Sequence, residues 1–266
     1  MVAQLELNFA GIRLRAEDPG EVARWLAETL AAPCRAAGDS WLVTCPGIEI
    51  RLSAREADPP LQQAAEGYYT GLAHIALRST DLPGTVRLCA QRGIALAGGQ
   101  AVSHNPGIWG TGMDYVNPLC PFGFGLEFCQ RLDLPAAPMT VLQDGLEHIG
   151  IPVPEIGRST AFYQTLGFVR AAAAEIRRED GQVIHCVMMQ GGGVTLELFE
   201  FAGMDHEPYR DQPFEELVFE TEDPRRWARE RSLQPEEEPG GALRVHGPGG
   251  EVLRIEKRGD RDGRDV

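Results

Sequence analysis

Two histidines occupy the same place in two copies of one phrase. His74 opens HIALRSTD and His148 opens HIGIPVPE, each an apolar, strand-like run that leads into a helix-period segment. An imidazole on such a strand is versatile: it titrates near neutrality, so it can move protons, and its neutral form ligates metals. A lone strand histidine is more often a packed or surface residue. Two at one phase of a repeat ask for more, and the repeat supplies the frame that must position them.

Four stretches share the pattern: GIRLRAEDPGEVARWLAETL from Gly11, HIALRSTDLPGTVRLCAQRG from His74, HIGIPVPEIGRSTAFYQTLGF from His148 and ELVFETEDPRRWARERSL from Glu216. Each carries an acid seven positions on, at Asp18, Asp81, Glu155 and Asp223. A carboxylate there suits a helix N-terminus, where free N–H groups and the helix dipole favour it. Pro19 and Pro224 fall in first turns, where a missing N–H costs nothing, and Gly167 is placed to cap the C-terminus of the third helix. Strand-like sequence with turn signals follows each helix. The third copy is clearest: VRAAAAEIRRED, a turn at Asp180–Gly181, VIHCVMMQ, a glycine turn, then VTLELFEF. The predicted unit is a strand, a helix and three strands, four times over, in an α+β fold. The modules span residues 1–58, 71–133, 145–202 and 214–258, with Pro-containing links between the first three and a disordered tail at 259–266.

This βαβββ repeat, opened by "HI.(I/L)…D/E" and closed by "G..LE(L/F)", resembles the vicinal oxygen chelate superfamily. That group includes glyoxalase I, extradiol dioxygenases, methylmalonyl-CoA epimerase and the bleomycin- and fosfomycin-resistance proteins. The resemblance covers nearly all of residues 5–258 and is strongest in the second and third copies. It implies that modules pair into cup-shaped mixed sheets. It further implies that one divalent metal sits in a cup, held by residues of the first and last strands.

Carried onto this chain, the first-strand ligand position falls on Gly11, His74, His148 and Glu216. The last-strand position falls on Glu49, Glu127, Glu197 and Arg254. Gly11 and Arg254 cannot ligate in this way, so modules one and four are implied to be degenerate. The implied metal set is His74, Glu127, His148 and Glu197, and Glu127 and Glu197 are also the implied catalytic carboxylates. Imidazole and carboxylate suit a borderline cation: Zn, Ni, Co, Fe or Mn. Substrate or solvent would complete its shell. Pairing module two with three, within the chain or across a dimer, unites all four residues. Pairing one with two and three with four gives Glu49, His74 and Glu127 in one cup and His148, Glu197 and Glu216 in the other, neither with two histidines.

Other residues are candidates for contact with substrate. The segment HNPGIWGTGMDYVNP, from His104 to Pro118, reads as a glycine-rich loop over a pocket, and such loops act as lids. His104, Trp109 and Tyr115 are its candidate substrate-binding residues. His185, within VIHCVMMQ, is a candidate acid or base lining the pocket. Two-residue alternation turns Glu147 and Glu200 away from the cup. Met188, Met189, Phe199 and Phe201 are expected in the core.

The bulk numbers exclude some partners. Over 266 residues the net charge is −14, which argues against nucleic acid and against anionic lipid. No apolar run reaches membrane-spanning length, and MVAQLELNFAG lacks the features of a signal peptide. The six cysteines are scattered without a CxxC pair, as expected of reduced thiols in a cytoplasmic protein. The expected partner is a small molecule, with the chain a monomer or homodimer. The resemblance implies glyoxalase I-like lyase, isomerase or epimerase chemistry through a metal-stabilised enediolate. The alternatives are an extradiol-type dioxygenase, against which a fourth protein ligand counts, and a non-catalytic drug-binding protein.

Overall fold

The computed structural model describes residues 5–55, 68–99, 101–178, 180–208 and 213–259. The linker at 56–67 and the tail from 260 onward lie outside the described residues. Module one comprises β1 (Asn8–Ala16), α1 (Pro19–Leu30), β2 (Cys34–Ala37), β3 (Ser40–Cys45) and β4 (Ile48–Ala54). After a short β5 (Tyr68–Thr70), module two follows with β6 (His74–Arg78), α2 (Leu82–Gln91), β7 (Ser103–Asn105), β8 (Met113–Val116) and β9 (Gly125–Arg131). Module three is β10 (Leu146–Pro152), α3 (Ile156–Leu166), β11 (Val169–Arg177), β12 (Val183–Gly191) and β13 (Val194–Phe201). A short β14 (His206–Pro208) pairs with β5. Module four holds β15 (Phe214–Thr221), α4 (Pro224–Glu230), β16 (Glu236–Glu237), β17 (Leu243–His246) and β18 (Val252–Lys257).

The helix starts follow from the repeated acid. Asp18, Asp81 and Asp223 each accept a hydrogen bond from the N–H three residues on, satisfying one donor that the first turn cannot pair. Glu155 holds the same position without such a bond. There the Ile156 N–H is instead satisfied by Glu200, at 2.8 Å. Glu200 therefore does face away from the cup, but as a cap on α3 rather than as a solvated side chain.

Modules two and three share one eight-stranded sheet, in the order β11-β12-β13-β10-β6-β9-β8-β7. Modules one and four share the other, β16-β17-β18-β15-β1-β4-β3-β2. In each sheet the two first strands meet antiparallel at the centre, β10 with β6 and β15 with β1. Each last strand runs parallel beside its own first strand. The alternative pairing of one with two and three with four does not occur.

Alternation divides each strand between two environments. Ile75, Leu77, Leu126, Phe128, Ile149, Ile151, Leu196 and Leu198 are buried in one continuous core that also takes in residues of all four helices. Burying each such side chain is worth about 1.5–3 kcal/mol. The intervening residues therefore have to point to the opposite, concave face, and His74, Glu127, His148 and Glu197 are among them. Among the described residues no helix is long and apolar enough to cross a membrane.

Candidate metal centre

The cup of modules two and three draws its four polar side chains to one point. Glu127 lies opposite Ala76 on β6 and Glu197 opposite Gly150 on β10. Each last-strand acid thus stands two residues beyond its module's histidine. The antiparallel β6–β10 pair then places the histidines side by side, with His74 Nε2 3.2 Å from His148 Nε2. Glu197 Oε2 lies 3.5 Å from His74 Nε2 and 3.4 Å from His148 Nε2. Glu127 Oε1 lies 3.7 Å from His148 Nε2. His74, Glu127 and His148 each offer a ligand atom within 4.8 Å of one another.

This approach depends on a missing side chain. A Cβ on Gly150 would sit 1.9 Å from Cε1 of His74. The glycine is needed for the space that the ring occupies, not for an unusual backbone angle.

The electrostatics are those of a site short of positive charge. Burial opposes a charge on His148, but Glu197 and Glu127 beside it prevail and push its pKa up to about 9. Burial likewise opposes a charge on Glu197, yet His148 and His74 hold its carboxyl well below the ordinary range. For Glu127 burial wins and the carboxyl is raised. Glu127 Oε1 and His148 Nδ1 are buried without a hydrogen-bond partner, and an orphaned buried carboxylate oxygen is costly. A divalent cation fits this set. Oxygen and nitrogen ligands about 2 Å from one ion lie roughly 3–3.5 Å from each other, close to the 3.2–3.5 Å among His74, His148 and Glu197, with Glu127 at 3.7 Å from His148. In such a centre His74, His148, Glu197 and Glu127 would be the ligands.

The rest of the cup is apolar. Ala76, Cys129, Cys186, Met188, Met113 and Ile108 form a second buried cluster, with Phe199, Phe201, Trp109 and Tyr115 packed against it. Met188, Phe199 and Phe201 therefore line the cup rather than the main core, whereas Met189 does join that core. The loop between β7 and β8 closes over this surface. Its Ile108 is buried, and its Gly107 passes close enough that an added Cβ would lie 3.8 Å from Ala174 on β11. Trp109 sits at φ 58°, a left-handed conformation that a bulky residue rarely adopts. The Arg131 guanidinium lies 3.8 Å from the centre of its ring. The loop thus covers the apolar part of the cup.

Of the four residues expected to contact substrate, the cup brings in Trp109 and Tyr115. Burial, and then the nearby Glu127, push the Tyr115 phenol up. It does not bring in the other two. His185 pairs in register with Glu200 and lies 4.0 Å from Glu175, on the face opposite the cup. Its neighbour Cys186 takes the inward position and donates to Glu197. His104 is exposed at the sheet edge and bonds Asp114 at 2.7 Å. Glu147 was expected to point away, but a β-bulge between Leu146 and His148 brings its carboxylate to 3.8 Å from Arg131. Arg131, Cys129 and Cys186 were missed, although counting by twos from Glu127 leads to the first two.

The cup of modules one and four is built differently. Gly11 has no ligand to offer, and a Cβ there would lie 2.2 Å from the Glu49 carbonyl oxygen. Arg254 puts a guanidinium among Glu216, Glu238 and Glu256. Arg13 joins Glu216 and Glu256. A fixed protein cation thus stands among the acids of this cup. A cavity of about 390 Å³ lies in this cup, bordered by Gly11, Arg13, Glu49 and Arg51.

Comparison with known proteins agrees with this geometry. Residues 145–233 match the model of the Glyoxalase/Bleomycin resistance protein/Dioxygenase superfamily. No curated protein matches the chain. Among solved structures, a mutant of glyoxalase I from Zea mays aligns with a TM-score of 0.70 at 16% identity, covering 98% of each chain. Glyoxalase I from Zea mays itself aligns at 0.67 and 16% identity, over 94% of this chain and 92% of that one. A putative dioxygenase from Bacillus subtilis aligns at 0.63 and 12% identity, over 98% of this chain and 89% of that one. At these identities the likeness is one of fold.

Proposed function

We propose, for a chain whose residues 145–233 match the glyoxalase/bleomycin resistance protein/dioxygenase superfamily, a divalent-metal-dependent enzyme that moves a proton between adjacent carbons of a small substrate with vicinal oxygens. One observation carries the reading: two histidines 3.2 Å apart meet two glutamates in a buried cup, each carboxylate within 3.4–3.7 Å of an imidazole. A divalent ion bound there supplies Lewis-acid polarisation of neighbouring substrate oxygens. His74 and His148 supply neutral donors from the two central strands. The two carboxylates offset the ion's charge, and one of them takes the carbon-bound proton and returns it to the neighbouring carbon. Trp109 and Ile108 exclude water while this happens, and the lid opens to admit substrate and release product. The apolar wall of Met113, Met188 and Phe199 suits a substrate whose remainder is uncharged.

The test is proton exchange. The Zn-, Ni- and Co-loaded protein is incubated in D₂O with a panel of α-hydroxycarbonyl compounds and catechols, followed by proton NMR and an oxygen electrode. Deuterium entering a carbon next to a carbonyl, abolished by Glu127→Gln, is the expected result. Oxygen consumption with a catechol by the Fe- or Mn-loaded protein would instead make it an oxygenase. No turnover of any member with any metal would contradict the proposal.

A further inference from the structure

The two carboxylates of the cup are equivalent by repeat but not by surroundings. Glu197 and Glu127 occupy the same register, each opposite the residue two beyond its histidine. Oε2 of Glu197 faces both histidines, and Oε1 accepts from the Cys186 thiol at 3.5 Å. Both of its oxygens are therefore held. Glu127 has Asn117 and the Cys129 thiol as hydrogen-bond partners, but its Oε1, the oxygen facing His148, accepts no hydrogen bond.

The repeat accounts for the asymmetry. Cys186 stands opposite Phe199 on the neighbouring strand, and the matching place in module two is Tyr115, opposite Cys129. Tyr115 pairs across its hairpin with Ser103 and directs its hydroxyl there. The Cys129 thiol, shared between the Leu77 carbonyl oxygen at 3.8 Å and Glu127, leaves Glu127 Oε1 without a partner. Module two has thus placed no donor on Glu127 Oε1 where module three has placed one on Glu197.

We propose that Cys186 is a positioning residue: its thiol pins Glu197 as the fixed carboxylate of the centre and leaves Glu127 as the one that swings onto substrate. A carboxylate fastened at both oxygens resists the rotation that proton transfer to carbon requires more than one fastened at a single oxygen, as Glu127 is. The inference rests on the metal-centre reading and refines it by dividing the two roles. Deletion of such an outer partner of a metal ligand typically weakens metal binding about 10–100-fold.

The experiment is a double-mutant cycle read by Zn²⁺ affinity, using competition against a chromophoric chelator. Cys186→Ala is combined in turn with Glu197→Gln and with Glu127→Gln, and Cys186→Ser serves as the conservative rescue. Cys186→Ala is expected to weaken Zn²⁺ binding at least about tenfold, and Cys186→Ser to restore it. In the Glu197→Gln background the cysteine change should add nothing, whereas beside Glu127→Gln it should keep its full effect. Should Cys186→Ala fail to fold, Cys186→Val fills the volume without a donor and takes its place. Equal effects in the two backgrounds, or no rescue by serine, would overturn the pinning role. A parent protein that binds no Zn²⁺ would overturn the metal centre itself, and the pinning role with it.

Discussion

His74 and His148 stand 74 positions apart, yet their Nε2 atoms face each other at 3.2 Å. The contact exists because the two modules present the same phrase to each other across an antiparallel strand pair. Glu197 lies 3.4–3.5 Å from both rings. A cation between them would bind the folded chain and not the unfolded one. Free Zn²⁺ at a thousandfold excess over its dissociation constant should therefore stabilise the protein by about 4 kcal/mol. Thermal melts with Zn²⁺ and with chelator should differ accordingly, and in His148→Ala they should coincide. A His148→Ala protein that still gains this stabilisation would place the ion elsewhere.

Gly150→Ala tests the same centre without removing a ligand. The new Cβ would displace the His74 ring, which it would meet at 1.9 Å. Because Ile149 and Ile151 still face the core, the metal-free stability should fall by only about 1 kcal/mol. The gain on adding Zn²⁺ should nevertheless disappear. Calorimetry with and without the ion checks both halves, and a retained gain would show that His74 does not ligate.

What was legible in the sequence was what the chain says more than once. The strand–helix–strand phrase recurs with its acid in place, so the modules, the helix starts at Asp18, Asp81 and Asp223 and the phase of His74 and His148 could all be read. What recurs nowhere was harder. Glu155 repeats the acid but leaves the capping of α3 to Glu200, 44 residues away. A bulge beside Glu147 has no local signature, and it turned a side chain expected outside toward Arg131. His185 was put on the wrong face because the hairpin shifts the count: its turn sets Glu197 opposite Met188, so the cup side of β12 carries Met188 and Cys186, not His185. The pairing of modules two with three rests on long-range strand contacts, which no stretch of sequence displays by itself.

The other cup makes a prediction about stability rather than chemistry. Arg254 is almost fully buried among Glu216, Glu238 and Glu256. Removing its charge leaves buried Glu216 and Glu256 to Arg13 and Arg244 alone, so the loss is at most the roughly 3–5 kcal/mol of breaking a buried pair outright. Arg254→Met should lose about 1–3 kcal/mol in urea unfolding and keep the wild-type metal content. Loss of metal in this variant would mean that the second cup also binds an ion.

A buried carboxyl far from the cup sets a pH dependence. Glu251 accepts from the Tyr163 hydroxyl at 2.7 Å and from the Gly249 N–H at 2.8 Å. Burial, the largest influence, nonetheless raises its pKa above the ordinary carboxylate value. A carboxyl raised on folding binds its proton more tightly in the folded state. Its contribution is therefore fully present below the unfolded value, near 4.3, and is lost as pH rises through the raised folded value. Glu251→Gln keeps partners for both Tyr163 and Gly249 and cannot ionise. It should flatten this part of the stability profile and leave the neutral-pH protein at least as stable as wild type. Tyr163→Phe should destabilise by about 1–3 kcal/mol. Chemical unfolding across pH 4 to 8 checks both, and an unchanged slope in Glu251→Gln would exclude Glu251 as its source.

The central claim is that modules two and three hold one metal ion between them. Its most direct test is plasma mass spectrometry of the untagged protein, purified without chelators, beside His74→Ala and His148→Ala. About one divalent ion per chain, lost in both variants, is the predicted result, since imidazole–carboxylate sets of this kind bind one such ion. No bound metal, even after reconstitution with Zn, Ni, Co, Fe and Mn in turn, would contradict it.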